Sequence, residues 1–315
     1  MQLIIILLAT VSVLTFLSGA IVYCGASKGD KVRSAWFFLA AIFATVWMAS
    51  ISLFLIADPG WADIIDWHIK WTFTSAILID IAFLGYVAWP KKYGRIITYI
   101  FLLAGVLISA LIFSAPELLY HNAILSRSGN SVNMNIGLLY YAYIGFFCAI
   151  VPAIIIALFR QYIKTHSARK KSGDLVIVGS FGISSTLVLV ANLILPLFGN
   201  WSMIWLGPLA LAVTIIAFYY TILRYHSLNL SSIWLKVFSY IVIITSIAII
   251  YMVIFSIIFA ALFRGSTPST EVIILNFIMI VIFLLLMPAM GELLTFIRSL
   301  ISNQNTQKKK EGNGK

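Results

Sequence analysis

Ile215-Ile-Ala-Phe-Tyr-Tyr-Thr-Ile-Leu-Arg-Tyr-His-Ser-Leu-Asn-Leu230 closes one long apolar segment and opens a short basic hinge into the next. Working outward, the chain before this corner divides into seven apolar runs. The chain after it divides into two more runs and a charged tail. Runs of about 20 apolar residues can each cross a hydrocarbon core about 30 Å thick. The 315 residues are 62% hydrophobic and 10% charged. Soluble domains carry about 25% charged residues, so a soluble globular domain is excluded. The expected fold class is all-α, a polytopic transmembrane helical bundle of about nine spans (seven plus two), with the N-terminus outside and the C-terminus inside.

The spans are expected at residues 2–24, 34–57, 69–89, 96–115, 137–160, 175–198, 203–223, 237–263 and 272–299. This divides the chain into a seven-helix membrane domain (1–230), two additional transmembrane helices (231–300) and a disordered basic cytoplasmic tail (301–315). The net charge of +11 invites a nucleic-acid reading, but its distribution argues against one. All of the 21 Lys and Arg except Lys70, Arg127 and Arg264 fall in alternate turns or in the tail. That bias encodes orientation in a membrane, with basic turns kept in the cytoplasm. The basic turns, above all 164–171, are expected to meet anionic lipid. The first apolar segment lacks a positive n-region and is too long for a signal peptide. Cys24 and Cys148 both lie inside apolar runs and read as small packing residues, without a disulfide framework or a metal spacing.

Polar residues inside the spans carry the functional argument. Asp80 sits near the middle of span three, between Leu78-Ile79 and Ile81-Ala82. An ionised Asp there costs roughly 2.5–3.5 kcal/mol on insertion scales. It should face the bundle, be neutral, or both. Its functional reading is a ligand contact, an ion site or a proton-linked switch. Its structural reading is a neutral side chain hydrogen-bonded to Asn192, Tyr143 or a Ser. Asn192 and Asn276 read first as interhelical glue, with Asn192 also a candidate ligand contact. The segment Asp58-Pro-Gly-Trp-Ala-Asp-Ile-Ile-Asp-Trp-His68 holds Asp63, Asp66 and His68, candidate ligand contacts on the outer face. Its spacing matches no metal motif, and its bland reading is a solvated interfacial segment anchored by Trp. The 116–136 loop is the longest outer connection. Trp61, Trp67, Trp71, Trp201 and Trp205 read as outer boundary anchors, and Trp36, Trp89, Tyr93 and Trp234 as inner ones. Pro152, Pro196, Pro208 and Pro288 should kink or end helices, with Gly207-Pro208 a point of flexure. Phosphate loops, nucleophile elbows and zinc motifs are absent from the sequence. No catalytic residue, metal site or cofactor is expected, and no nucleic-acid partner.

Three stretches carry a resemblance: Ser34-Ala-Trp-Phe-Phe-Leu-Ala-Ala-Ile-Phe-Ala-Thr-Val-Trp47, Trp67-His-Ile-Lys-Trp-Thr-Phe73 and Phe218-Tyr-Tyr-Thr-Ile-Leu-Arg-Tyr-His-Ser-Leu-Asn-Leu230. In these, spans one to seven resemble the N-terminal seven-helix sensor region of bacterial histidine kinases. Leu285-Leu-Met-Pro-Ala-Met290 is similar to the Pro-containing segment preceding the cytoplasmic part in members with extra helices. The resemblance implies a sensor whose signal leaves through the seventh helix and a hinge at Arg224, Tyr225 and Asn229. A kinase needs a phospho-accepting His and an ATP-binding domain, and the 17 residues after Arg298 contain neither. The expectation is a non-catalytic signal-input module acting on a separate signalling protein at the cytoplasmic side. Two other classes stay open: a small-molecule or ion-coupled transporter using Asp80, and a membrane scaffold subunit.

Overall fold

The computed structural model describes residues 2–56, 62–89, 91–125, 132–201 and 203–225. Asn229, Asn276, Pro288, spans eight and nine and the tail lie outside the described residues.

Seven helices follow one another up and down. They are α1 (Gln2–Gly25), α2 (Lys31–Ile56), α3 (Ala62–Ala88), α4 (Lys92–Ser114), α5 (Leu138–Lys164), α6 (Ala168–Leu189) and α7 (Leu206–Tyr225). A π-turn, Val190–Ile194, and a last turn, Leu195–Leu197, extend α6. Six of these helical segments are long and apolar enough to cross a membrane, and α7 contributes the shorter apolar stretch Leu206–Ile222. This is a multi-pass membrane protein. Its described helices have one end with basic turns and one end with a short β-hairpin.

Helix α3 is the hub, packing against α2, α4 and α5, while α7 packs against α1, α2 and α6. In the apolar window of α3 83% is buried, against 17% in α4. The pattern of α4 shows why lipid must be the solvent. Its buried residues are Gly94, Thr98, Gly105 and Ile112, whereas Ile96, Ile100, Leu103, Leu107 and Leu111 are exposed. In water this inside-out helix would expose a large apolar face. In lipid its small residues let helix backbones approach closely: a Cβ on Gly105 would collide with Ile77 and Ile81 of α3. The exposure of Cys24 and Cys148 corrects their reading as packing residues. An apolar group loses nothing by facing hydrocarbon, so span membership does not imply burial.

Near the basic end, rings tie four helices together. Phe218 of α7 lies 5.2 Å from Phe83, 5.5 Å from Tyr86 and 6.2 Å from Phe37. Phe83 in turn meets Phe181 of α6 at 5.5 Å. Offset and edge-on pairs of this kind add about 0.5–1.5 kcal/mol each beyond their burial. The aromatic start of the motif that closes α7 is therefore a packing clasp.

Two further sequence expectations change. Helix α3 begins at Ala62 rather than at 69, so Asp63, Asp66, Trp67 and His68 occupy its first turns instead of a loop. The reason is local: Asp66 and Lys70 form an i,i+4 ion pair at 2.6 Å, and Trp67, Trp71 and Phe113 of α4 stack edge to face at 5.5–6.0 Å. The 116–136 connection is not a plain loop. After a turn at Pro116–Leu118 it forms an antiparallel hairpin of β1 (Tyr120–Leu125) and β2 (Val132–Ile136), with an irregularity between His121 and Ile124. The hydroxyl of Tyr120 donates to Asp66 and ties the hairpin to α3. The fold is thus a helical bundle carrying one small hairpin.

Candidate functional site

Proline creates the site. Pro196 has no N–H to offer the carbonyl of Asn192 four residues back, and its ring crowds that carbonyl. Helix α6 responds by widening into the π-turn at Val190–Ile194, a feature that frequently marks functional positions. The Tyr140 hydroxyl of α5 supplies the missing donor, giving hydrogen bonds to the carbonyls of Asn192 (3.1 Å) and Leu193 (3.2 Å). Past Pro196 the chain turns through Gly199, whose φ of 74° is left-handed, while Asn200 N–H reaches back to the Leu195 carbonyl at 3.0 Å. Such a helix ending favours Gly because L side chains resist that φ. It returns Trp201 to the bundle, where only 5% of the residue is exposed. Trp201 was expected as a boundary anchor; its burial makes it part of the interior instead.

The Asn192 side chain leans on Gly207 of α7, where a Cβ would collide with its amide. Beyond it lies a cavity of about 40 Å³ between α2, α3, α5 and α6, space for about three water-sized groups. Most of its wall is apolar or aromatic: Ile51, Phe54, Ile69, Phe73 and Tyr143. Three buried polar atoms on its lining residues have no partner: Trp47 Nε1, Trp201 Nε1 and Asn192 Oδ1. Two donors and one acceptor left unpaired in an apolar interior cost about 1–3 kcal/mol each. Pairing any of them recovers this.

Asp80 lies one cavity further along. It is 7% exposed and lines a space of about 20 Å³ with Ala76, Phe147, Ser185 and Leu211. Trp47 is common to both cavities. Asp80 and Asn192 therefore line two different cavities that share Trp47. Ser185 shares the chamber of Asp80, while Tyr143 belongs to that of Asn192.

The other candidates lie elsewhere. Asp66 is occupied by Tyr120 and Lys70 at the foot of the hairpin. The His68 carbonyl accepts from Thr72 Oγ1 at 2.8 Å, and Thr72 lines the larger cavity. Asp63 falls in the first turn of α3, and Arg224 and Tyr225 in the last turn of α7. Among the described residues no group of three or more His, Cys, Asp or Glu is placed to hold a metal. Tyr140, Trp47 and Trp201 were not singled out as site residues from sequence. The spacing Asn192-x-x-x-Pro196 was the available signal, since it marks a carbonyl that must find a donor outside its own helix.

The family described as N-terminal 7TM region of histidine kinase matches residues 6–231, and the chain belongs to it. No individual curated protein matches the chain.

Proposed function

We propose that this member of the histidine-kinase 7TM family is a non-catalytic input module of a bacterial inner membrane, sensing a small, neutral, hydrogen-bonding molecule inside its bundle. The carrying observation is that three residues lining one mostly apolar cavity, Trp47, Trp201 and Asn192, each carry a buried polar atom without a partner. Ligand pockets are commonly apolar with a few well-placed polar groups. The size of the space favours a ligand of a few heavy atoms with a carbonyl or hydroxyl group. The basic turns support a cytoplasmic location for the basic end, and hence an outside N-terminus. A ligand that prefers one packing of α2, α3 and α6 shifts the population of bundle arrangements. The signal then leaves through α7 and the hinge at Arg224, Tyr225 and Asn229 to a separate signalling protein.

The test combines binding with flux. Purified full-length protein is titrated with short-chain alcohols, ketones and amides while Trp emission and thermal stability are followed. The sensing proposal expects at least one class to raise the melting temperature and shift Trp emission, and Asn192→Leu to abolish both. Counterflow of the same compound into proteoliposomes, lost in Asp80→Asn, would replace sensing with transport. No response from any class would remove the cavity as the input site.

A further inference from the structure

A second cavity, at the basic end, has a different chemistry. It is open, holds about 330 Å³, and is walled by Arg33 of α2, Lys91 before α4, Lys164 of α5 and Lys170 of α6. That volume is within the range of small-molecule sites. Its carboxylate, Asp174, is 6% exposed. The Asp174 oxygens accept from Gln161 Nε2 at 2.8 Å and from Thr165 Oγ1 at 2.6 Å. None of the four cations pairs with it: among the described residues the one ion pair is Lys70–Asp66.

Arg33 is held rigidly at the back of the cup. Its Nη2 donates to Gln161 Oε1 at 2.9 Å, and its guanidinium lies over the Tyr86 ring at 4.4 Å from the centroid. Its Nε is buried without a partner. A guanidinium held by Gln161 and Tyr86 suits the planar, multidentate recognition of phosphate, and lysines around it add point charge. Orientation alone would spread the basic residues over the surface. It does not require four of them, from separate elements, to face one hollow.

We propose that this cup binds a single phosphate-bearing anion, clamping α2, α5 and α6 and the start of α4 together. A membrane supplies such a group as the headgroup of an anionic phospholipid, and the cytosol supplies it as free phosphate. The site is independent of the interior cavity, so either reading stands if the other fails.

The experiment titrates the full-length protein in neutral detergent with dihexanoyl-phosphatidylglycerol, dihexanoyl-phosphatidylcholine or inorganic phosphate, reading thermal stability. Lys91 and Lys170 are exposed, so Lys91→Gln/Lys170→Gln should fold normally. Lys28→Gln/Lys92→Gln is the control, removing two exposed cations at the same end that do not line the cup. The expected result is saturable stabilisation by phosphatidylglycerol, with little from phosphatidylcholine. The midpoint should rise about fivefold per cup lysine removed, or about 25-fold for the pair, and stay within twofold in the control. Stabilisation by phosphatidylglycerol alone assigns the cup to a lipid headgroup. Stabilisation by phosphate as well assigns it to the phosphate group itself. The proposal is overturned if neither anion stabilises, or if the control pair weakens the response as much as the cup pair does.

Discussion

Replacing Tyr140 by Phe isolates the physical cause of the π-turn. The ring is 1% exposed and packs against Phe73, Tyr143 and Trp201 at 5.9–6.4 Å. The substitution keeps that packing and deletes only the hydroxyl that serves the Asn192 and Leu193 carbonyls. Interhelical hydrogen bonds in membrane bundles average about 0.6 kcal/mol and reach about 1.7. Leaving a buried acceptor unpaired costs about 1–3 kcal/mol. Because Pro196 cannot donate, the upper part of the membrane range applies, about 1–2 kcal/mol. For a bundle of this size that is a fall of roughly 2–8 °C in melting temperature, measured by thermal unfolding of detergent-solubilised protein. The sharper assay is a double-mutant cycle with Pro196→Ala, which restores an N–H four residues after Asn192. Tyr140→Phe should then cost about 1 kcal/mol less than in the native background. Equal costs in the two backgrounds would refute the idea that Tyr140 stands in for the missing proline donor.

Other substitutions test neighbouring parts of the structure. Gly207→Ala drives a methyl into the Asn192 amide and should destabilise by about 1–3 kcal/mol; thermal unfolding should show the penalty vanish in an Asn192→Ala background. Phe218→Ala opens the aromatic clasp and should cost about 3–5 kcal/mol, read as a loss of folded protein by fluorescence-detected size exclusion. Asp80→Asn should leave folding intact, and as a sensor residue it should alter the midpoint of the Trp emission response without creating or removing flux. Burial, reinforced by the hydrogen bond from Tyr120 to Asp66 and by the Asp66 charge, raises the Tyr120 phenol above its ordinary value near 10. A raised folded value means that its contribution is complete below about pH 10 and is lost as the pH climbs further. Tyr120→Phe should therefore flatten the alkaline limb of stability, measured by melting temperature between pH 8 and 12.

The bundle was legible in the sequence because apolar runs and basic turns alternate at membrane spacing, and all seven runs before residue 226 appear as helices. The start of α3 was misplaced because Asp63, Asp66 and His68 look like loop residues until Lys70 and the Trp67–Trp71–Phe113 contacts are known. The hairpin was missed because Val132-Asn-Met-Asn-Ile136 alternates over only five residues and its partner Tyr120–Leu125 does not alternate. Asp80 and Asn192 stood out because polar groups in hydrocarbon are expensive. Their cavities did not, since no periodicity reveals that Trp47 lines both or that the chain turns at Gly199 and buries Trp201. The basic cup was visible only as scattered charge, because four elements supply it.

The ring of Phe218 has a mechanical consequence for whatever α7 transmits. Sliding the helix by one turn, about 5.4 Å, would withdraw this ring from between Phe37, Phe83 and Tyr86 and offer Thr214 or Ile222 in its stead. An aliphatic or hydroxyl group fills a slot shaped by three aromatics poorly, so piston-like travel carries a packing penalty at this register. A tilt or twist pivoting on that ring keeps the slot filled, so under the proposed sensing role the end of the helix works as a lever rather than a plunger.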